Sequence, residues 1–171
     1  MELHLNNGGE MVFKADLTPA PDAGLVAGLF RYSKGVITSV VRPGDAMPGG
    51  GHLVTVSFVG SHQESINNRG DIVVDGTLDN DVDGDGLPDQ GTYEWSHGEV
   101  GLVARTGTVL PGVGTVRSFV PPSGIIIPPP VVFVPNSGAV NNDRGQVLFS
   151  ALLTDGRYVL LLATPRGGGS R

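Results

Sequence analysis

Three stretches of the chain carry an apolar or small side chain at every second position. Met11, Phe13, Ala15 and Leu17 share one face of the first stretch. Ile72, Val74, Gly76 and Leu78 share a face of the second, and Val147, Phe149, Ala151 and Leu153 of the third. A period of two marks a half-buried strand, because successive side chains leave a strand on opposite sides. The pattern predicts strands at about residues 10–17, 71–78 and 146–153, with Phe13, Val74 and Phe149 buried at equivalent places. Each apolar face carries a small residue at its third place and Leu at its fourth, which predicts a neighbouring sheet approaching closely at the small residue. Each stretch follows the motif Asn-x-x-Gly-x-x-x-Phe, at Asn6/Gly9/Phe13, at Asn142/Gly145/Phe149 and, with Val for Phe, at Asn67/Gly70/Val74. Asn caps its own backbone and Gly accepts positive φ, so these two positions read as turn chemistry.

The segments after the motif strands repeat as well. Gly28-Leu-Phe30-Arg-Tyr32-Ser-Lys-Gly35 aligns without gaps on Gly91-Thr-Tyr93-Glu-Trp95-Ser-His-Gly98. The register continues through Val40-Val-Arg42-Pro-Gly44 against Val103-Ala-Arg105-Thr-Gly107, as far as Pro48-Gly49 against Pro111-Gly112. This predicts two strands joined by a Ser-x-Gly turn, the second ending in a Gly/Pro loop. A further strand, His52 to Val59 or Thr115 to Val120, leads towards the next motif. One unit is thus about four short antiparallel strands, and a unit recurring at about 60 to 75 residues is one supersecondary element used several times. The repeats span about residues 6–66, 67–141 and 142–166, the last cut short after two strands near Ala163.

The motif spacing, the Ala-x-Leu that follows it and the Arg-x-Gly-(x)3-Pro-Gly stretch resemble the Asn-x-x-Gly-x-x-x-Phe tandem-repeat family of bacterial surface proteins. The resemblance covers nearly the whole chain except residues 121–138. It implies a secreted or cell-surface location and an array followed by one of several alternative anchoring signals. It brings no enzymatic activity and no catalytic residues to map.

Composition narrows the reading further. A length of 171 residues allows one domain, residues 1–166, with a real core and a linker-like tail at 167–171. Most of the 27 glycines and 13 prolines fall between the periodic runs and mark turns. No stretch has sustained helical periodicity. The absence of Cys excludes disulfides and thiolate metal sites. Met1 to Leu5 lacks the basic region and apolar run of a signal peptide, and Val159 to Ala163 is too short to span a bilayer. The chain is expected to be the C-terminal piece of a longer array.

The net charge of −6 is unevenly spread. Between Gly70 and Ala104 there is no Lys or Arg, while Asp71, Asp75, Asp79, Asp81, Asp83, Asp85, Asp89, Glu94 and Glu99 all fall there. Concentrated like charge repels itself unless something neutralises it, and without a basic stripe nucleic acid is not an expected partner. Inside this window lies Asp81-Val-Asp83-Gly-Asp85-Gly86-Leu-Pro-Asp89, which resembles the Asp-x-Asp-x-Asp-Gly calcium loops of EF-hand, dockerin and thrombospondin type 3 modules. Hard oxygen donors at alternate positions wrap one ion, the Leu87 carbonyl takes a further place, and Gly86 permits the sharp bend. The bidentate Glu of position twelve is replaced by Thr92, so either Asp79 completes the shell or affinity is low. The expected calcium ligands are Asp79, Asp81, Asp83, Asp85, Leu87 and Asp89. The loop occupies the junction that is the tight turn Thr154-Asp155-Gly156 in the third repeat and Thr18 to Ala27 in the first.

Other candidates read as scaffold. Phe30/Tyr32 and Tyr93/Trp95 each share a strand face, as a sugar-stacking platform would, but recur with the framework and read as core. His4, His52, His62 and His97 share no ligand spacing and read as surface residues. Arg42 and Arg105 recur at strand ends and are expected to bond turn carbonyls. The segment from Pro121 to Pro135 is extended by its prolines and too apolar for a free loop, so it is expected to cover a sheet edge or meet a neighbour.

The expected fold is all-β, built of tandem, mostly four-stranded antiparallel repeats, propeller-like and incomplete, with a β-sandwich as the alternative. The expected function is a non-enzymatic, calcium-stabilised structural or adhesive module whose partners are further repeats, a surface glycan or an unknown protein. The alternative is a glycan-binding or hydrolytic propeller whose site lies partly on repeats outside this chain.

Overall fold

The computed structural model describes residues 3–17, 27–56, 65–119 and 139–164. Their regular structure is β, arranged as three antiparallel sheets. The first holds β1 (Leu3–Leu5), β2 (Met11–Asp16), β3 (Ala27–Ser33) and β4 (Val36–Val41), neighbours in that order. The second holds β5 (Leu53–Val56), β6 (Ser65–Ile66), β7 (Ile72–Leu78), β8 (Gln90–Ser96) and β9 (Glu99–Arg105); β5 and β6 lie along one side of β7, and β8 then β9 follow on the other. The third holds β10 (Val109–Leu110), β11 (Gly114–Ser118), β12 (Val140–Asn141), β13 (Val147–Leu153) and β14 (Tyr158–Ala163), with β11 and β12 beside β13 and β14 on its other side.

The motif strands are therefore β2, β7 and β13, close to the bounds expected from the alternation. Corresponding pairs face each other in all three sheets: Phe13 with Phe30, Val74 with Tyr93, and Phe149 with Leu161. The Ser-x-Gly turns are two-residue hairpins with both central residues left-handed, Lys34 and Gly35 at φ 51° and 85°, His97 and Gly98 at 53° and 93°. That geometry follows the strand twist and explains the glycine at the second place. One assignment differs from the sequence reading. The strand that leads to the next motif belongs to the following sheet: β5 pairs β7, and β11 pairs β13. Sheet boundaries thus fall one strand earlier than repeat boundaries.

Two apolar cores join the three sheets. In the first, Val12, Leu29 and Val41 of the first sheet meet Ile72, Val74, Tyr93 and Trp95 of the second. In the second, Val73 and Ala104 of the second sheet meet Val147, Phe149 and Ala151 of the third. If the face bearing Phe13, Val74 and Phe149 is called the front, each sheet lays its back on the front of the next. The expectation that Phe13 is buried like its counterparts is corrected here. Val12, on the back, is completely buried, whereas Phe13 is half-buried and stacks on Phe30 with centroids 5.9 Å apart. No sheet among the described residues covers the front of the first.

In the second sheet the small residue of the motif strand has another origin than the one expected. A Cβ on Gly76 would stand 2.5 Å from Leu53 Cδ1, so it makes room for a side chain of its own sheet, not for a neighbouring sheet. Its cross-strand partner Gly91 likewise clears the ring of Tyr93, whose Oη would lie 2.5 Å from a Cβ there. Most of the first repeat's junction (18–26), the end of the strand expected at His52 to Val59, His62, the segment 121–135 and the tail 167–171 lie outside the described residues. No helix among the described residues is long and apolar enough to cross a membrane.

Candidate metal centre and the turn ladder

The aspartate loop leaves β7 at Leu78 and enters β8 at Gln90, at the tip of a hairpin. Its base is closed by Leu78 N–H to the Asp89 carbonyl (2.8 Å) and Asp89 N–H to the Asn80 carbonyl (2.7 Å). Within it, Asp81 organises the bend: one carboxylate oxygen accepts the Gly84 amide (2.7 Å) and the other the Gly86 amide (2.9 Å). Gly84 and Gly86 are left-handed, φ 73° and 82°, which a side chain would strain. These amides hold the Asp81 carboxyl below its ordinary value, the Gly86 bond contributing most. Asp83 moves the opposite way. Desolvation, and then the charges of Asp85 and Asp89 with the Asp81 contact, raise it against the Asp85 amide.

Of the six expected ligands, three come together: carboxylate oxygens of Asp81, Asp83 and Asp89 lie within 4.8 Å of one another. Asp85 stands outside that group, its Oδ1 accepting the Leu87 amide (2.9 Å), and the Leu87 side chain is exposed. Asp79 turns to His52, accepting its backbone amide (2.7 Å) and facing Nδ1 at 3.0 Å. Thr92 points into the protein, where its hydroxyl donates to buried Asp75 at 2.6 Å, so position twelve offers no donor to the loop. Asp89 is 1% exposed. Arg105 donates to its Oδ2 at 2.5 Å, the Thr106 hydroxyl to Oδ1 at 2.9 Å and the Val82 amide to Oδ2 at 3.2 Å. The same Arg105 donates to the Gly49 and Gly50 carbonyls, as expected for a residue bonding turn carbonyls. An open depression of about 290 Å³ adjoins the loop, lined by Val54, Thr77, Asn80 and Leu87 among others.

The turns of the repeated motif form a second constellation, and a longer one. In each, the Asn side-chain oxygen accepts amides two and four residues on, as turn chemistry requires. The side-chain amide does more. Asn6 Nδ2 donates to the Asn67 carbonyl (2.9 Å), and Asn67 Nδ2 to the Asn142 carbonyl (3.0 Å). One residue on, the Asn7 backbone amide donates to Asn68 Oδ1 (2.9 Å), and that of Asn68 to Asp143 Oδ1 (2.7 Å). Three turns separated by 61 and 75 residues are thereby stacked in a column with a fixed direction, donors on one side and acceptors on the other. The sequence reading assigned these Asn residues to local turns only. The available signal was the second Asn or Asp after each motif Asn, which local capping does not need.

A family model described as "Family of unknown function (DUF7453)" matches residues 1–155. The chain belongs to that family. Neither a curated protein nor a solved structure matches it.

In this DUF7453 chain the remaining candidates resolve mostly into framework. Tyr93 and Trp95 are core residues, and Arg31 of the first sheet lies 5.4 Å from the Trp95 ring centroid. Their counterparts Phe30 and Tyr32 are half-buried. His52 and His97 are exposed. The acidic window is partly neutralised by the arginines that flank it, Arg69 on Asp71 and Arg105 on Asp89. Desolvation opposes the charge on Asp71, but bonds from Ser96, Asn67 and Arg69 outweigh it and hold that carboxyl below its ordinary value. Glu94 has less help: burial first, then the Asp71 charge, raises it against the opposing charge of Arg69, and its Oε1 is buried without a hydrogen bond.

Proposed function

We propose that this chain is a non-enzymatic, calcium-stabilised β-repeat module of a secreted or cell-surface bacterial protein, with a structural or adhesive role. The observation that carries the reading is the convergence of the exposed Asp81 and Asp83 carboxylates and the buried Asp89 carboxylate at one hairpin loop. Hard oxygen donors and a pre-curved loop suit calcium, and a cation would offset both the desolvation and the neighbouring negative charges that raise Asp83. Asp81 and Asp83 supply free carboxylate charge, and Asp89 shares its own with Arg105. The head-to-tail order of the sheets supports a propeller-like array, in which four or more blades normally close the ring. The resemblance to Asn-x-x-Gly-x-x-x-Phe surface repeats supports the location.

The test is a calcium titration followed by calorimetry and thermal unfolding. One ion is expected to bind with a Kd of about 10⁻⁴ to 10⁻³ M, weak because Thr92 replaces the bidentate Glu. Calcium at ten times Kd then stabilises the fold by about 1.4 kcal/mol, and Asp83→Ala removes that shift. A wild-type chain with no heat and no shift in 10 mM calcium, about ten times the weakest expected Kd, contradicts the reading.

A further inference from the structure

The sheet-to-sheet contact occurs twice in the chain, and each time it has the same polarity. The back of one sheet rests on the front of the next, and the motif turn of the first donates to the motif turn of the second. The two ends of the stack are therefore different surfaces, and each is half of this contact. At one end the front of the first sheet presents Leu3, Leu5, Phe13, Tyr32 and Ile37, aligned across the strands by register. Leu5 and Ile37 are 60% and 61% exposed. At the other end, the back of the third sheet presents Leu148, Leu160 and Leu162, with Leu160 68% exposed. The corresponding positions in the second sheet are Val73, Thr92 and Glu94, so the terminal back is more apolar than the back already covered inside the molecule.

The turn column has matching open ends. Asn142 Nδ2 gives one hydrogen to Gln146 Oε1 (2.9 Å), as Asn67 does to Asp71, but among the described residues no carbonyl lies beyond it to take the other. At the opposite end, among the described residues, the Asn6 carbonyl accepts only the turn amide of Gly9 and Asn7 Oδ1 accepts no hydrogen bond. The donors Asn142 Nδ2 and Asp143 N–H are the pair that Asn67 and Asn68 use within the chain. The acceptors Asn6 O and Asn7 Oδ1 are the pair that Asn67 and Asn68 offer.

We propose that the occupant of each end is a second copy of this chain, joined head to tail: the back of the third sheet of one copy on the front of the first sheet of the next. The column continues across the junction through Asn142 to Asn6 and Asp143 to Asn7. Such a contact is heterologous, so it builds a ring where the rotation closes and a filament where it does not. It does not depend on calcium, because the aspartate loop takes no part in it.

The test uses one variant at each end, chosen at exposed positions so that folding is retained: Ile37→Glu and Leu160→Glu, with circular dichroism and melting as folding controls. In sedimentation between about 1 and 100 µM the wild-type chain is expected to associate with increasing concentration, as surfaces of this kind do. Each variant alone is expected to be monomeric. An equimolar mixture of the two is expected to stop at a one-to-one dimer, since Ile37→Glu keeps a working third sheet and Leu160→Glu a working first. Asn7→Ala should weaken wild-type association about fivefold, as loss of one hydrogen bond would. A monomeric wild type, a single-end variant that still dimerises, or a mixture that stays monomeric would each overturn the proposal.

Discussion

The first and second sheets share one motif, one hairpin turn and one register, yet their motif strands live in different surroundings. Val74 is sealed between sheets, and its neighbour Val73 is sealed on the other face. In the first sheet Val12 is sealed while Phe13 remains half-buried. The local sequence determines which residues share a face. Which face is dry depends on what lies beyond the sheet, and the middle position in a stack is the only one covered twice. A repeat protein thus distributes stability by position as well as by composition.

That contrast is tested most strongly by cutting the same large side chain at two places. Phe149→Ala removes a ring that is 4% exposed and packs on Phe119, and should cost about 3–5 kcal/mol in chemical denaturation. Phe13→Ala, at the equivalent place on the open front, should cost less than half of that. Equal costs would mean that the front of the first sheet is covered in solution.

The paired arginines sharpen the comparison in polar terms. Arg105→Ala strands the Asp89 carboxylate, which is 1% exposed, and should destabilise by about 3 kcal/mol. Its counterpart Arg42 is exposed, so Arg42→Ala should change stability by no more than about 0.5 kcal/mol. Calcium should recover part of the Arg105→Ala loss by taking over the freed carboxylate, read as a larger melting shift than the wild type shows.

The strands, the hairpins and the aspartate loop are legible in the sequence, because each depends on residues close along the chain. Alternation placed β2, β7 and β13, and Ser-x-Gly marked the turns at Lys34 and His97. What was not legible depends on partners far along the chain. The strand at Leu53 was grouped with the repeat it follows, although its hydrogen bonds go to β7. Gly76 has the sequence context of a point of sheet approach, although Leu53 fills the space. The Arg105 partner of Asp89 lies 16 residues away on another strand, and the Asn column spans 61 and 75 residues. Spacing alone also left Asp79 available as a ligand, because nothing local announces that His52 engages it.

The column yields the next contrast. Asn67 sits within it, 5% exposed, donating to one turn and accepting from another, whereas Asn142 ends it. Asn67→Ala should cost about 2 kcal/mol and Asn142→Ala about 1, since both lose their own turn bonds but Asn67 also loses the donor that links the second and third turns. A smaller effect arises where the sheets differ in charge, with Glu94 standing where the first sheet has Arg31. A raised carboxyl favours the fold below its unfolded value and loses that advantage as pH rises through the folded value. Glu94→Gln should therefore stabilise the protein by about 0.5 kcal/mol at pH 7, allowing for solvent screening, and the gain should vanish near pH 4. Asp71 has the opposite sign: its stabilisation is present above the ordinary Asp range and is lost as pH falls through its lowered folded value.

The most direct measurement of position against sequence is amide hydrogen exchange along the three motif strands in one protein sample. Exchange reports the free energy of local opening, so strands covered on both faces should open last. The account predicts the strongest protection at Ile72–Leu78, less at Val147–Leu153, and least at Met11–Asp16. Protection of Met11–Asp16 equal to that of Ile72–Leu78, in a sample shown to be monomeric, would contradict it.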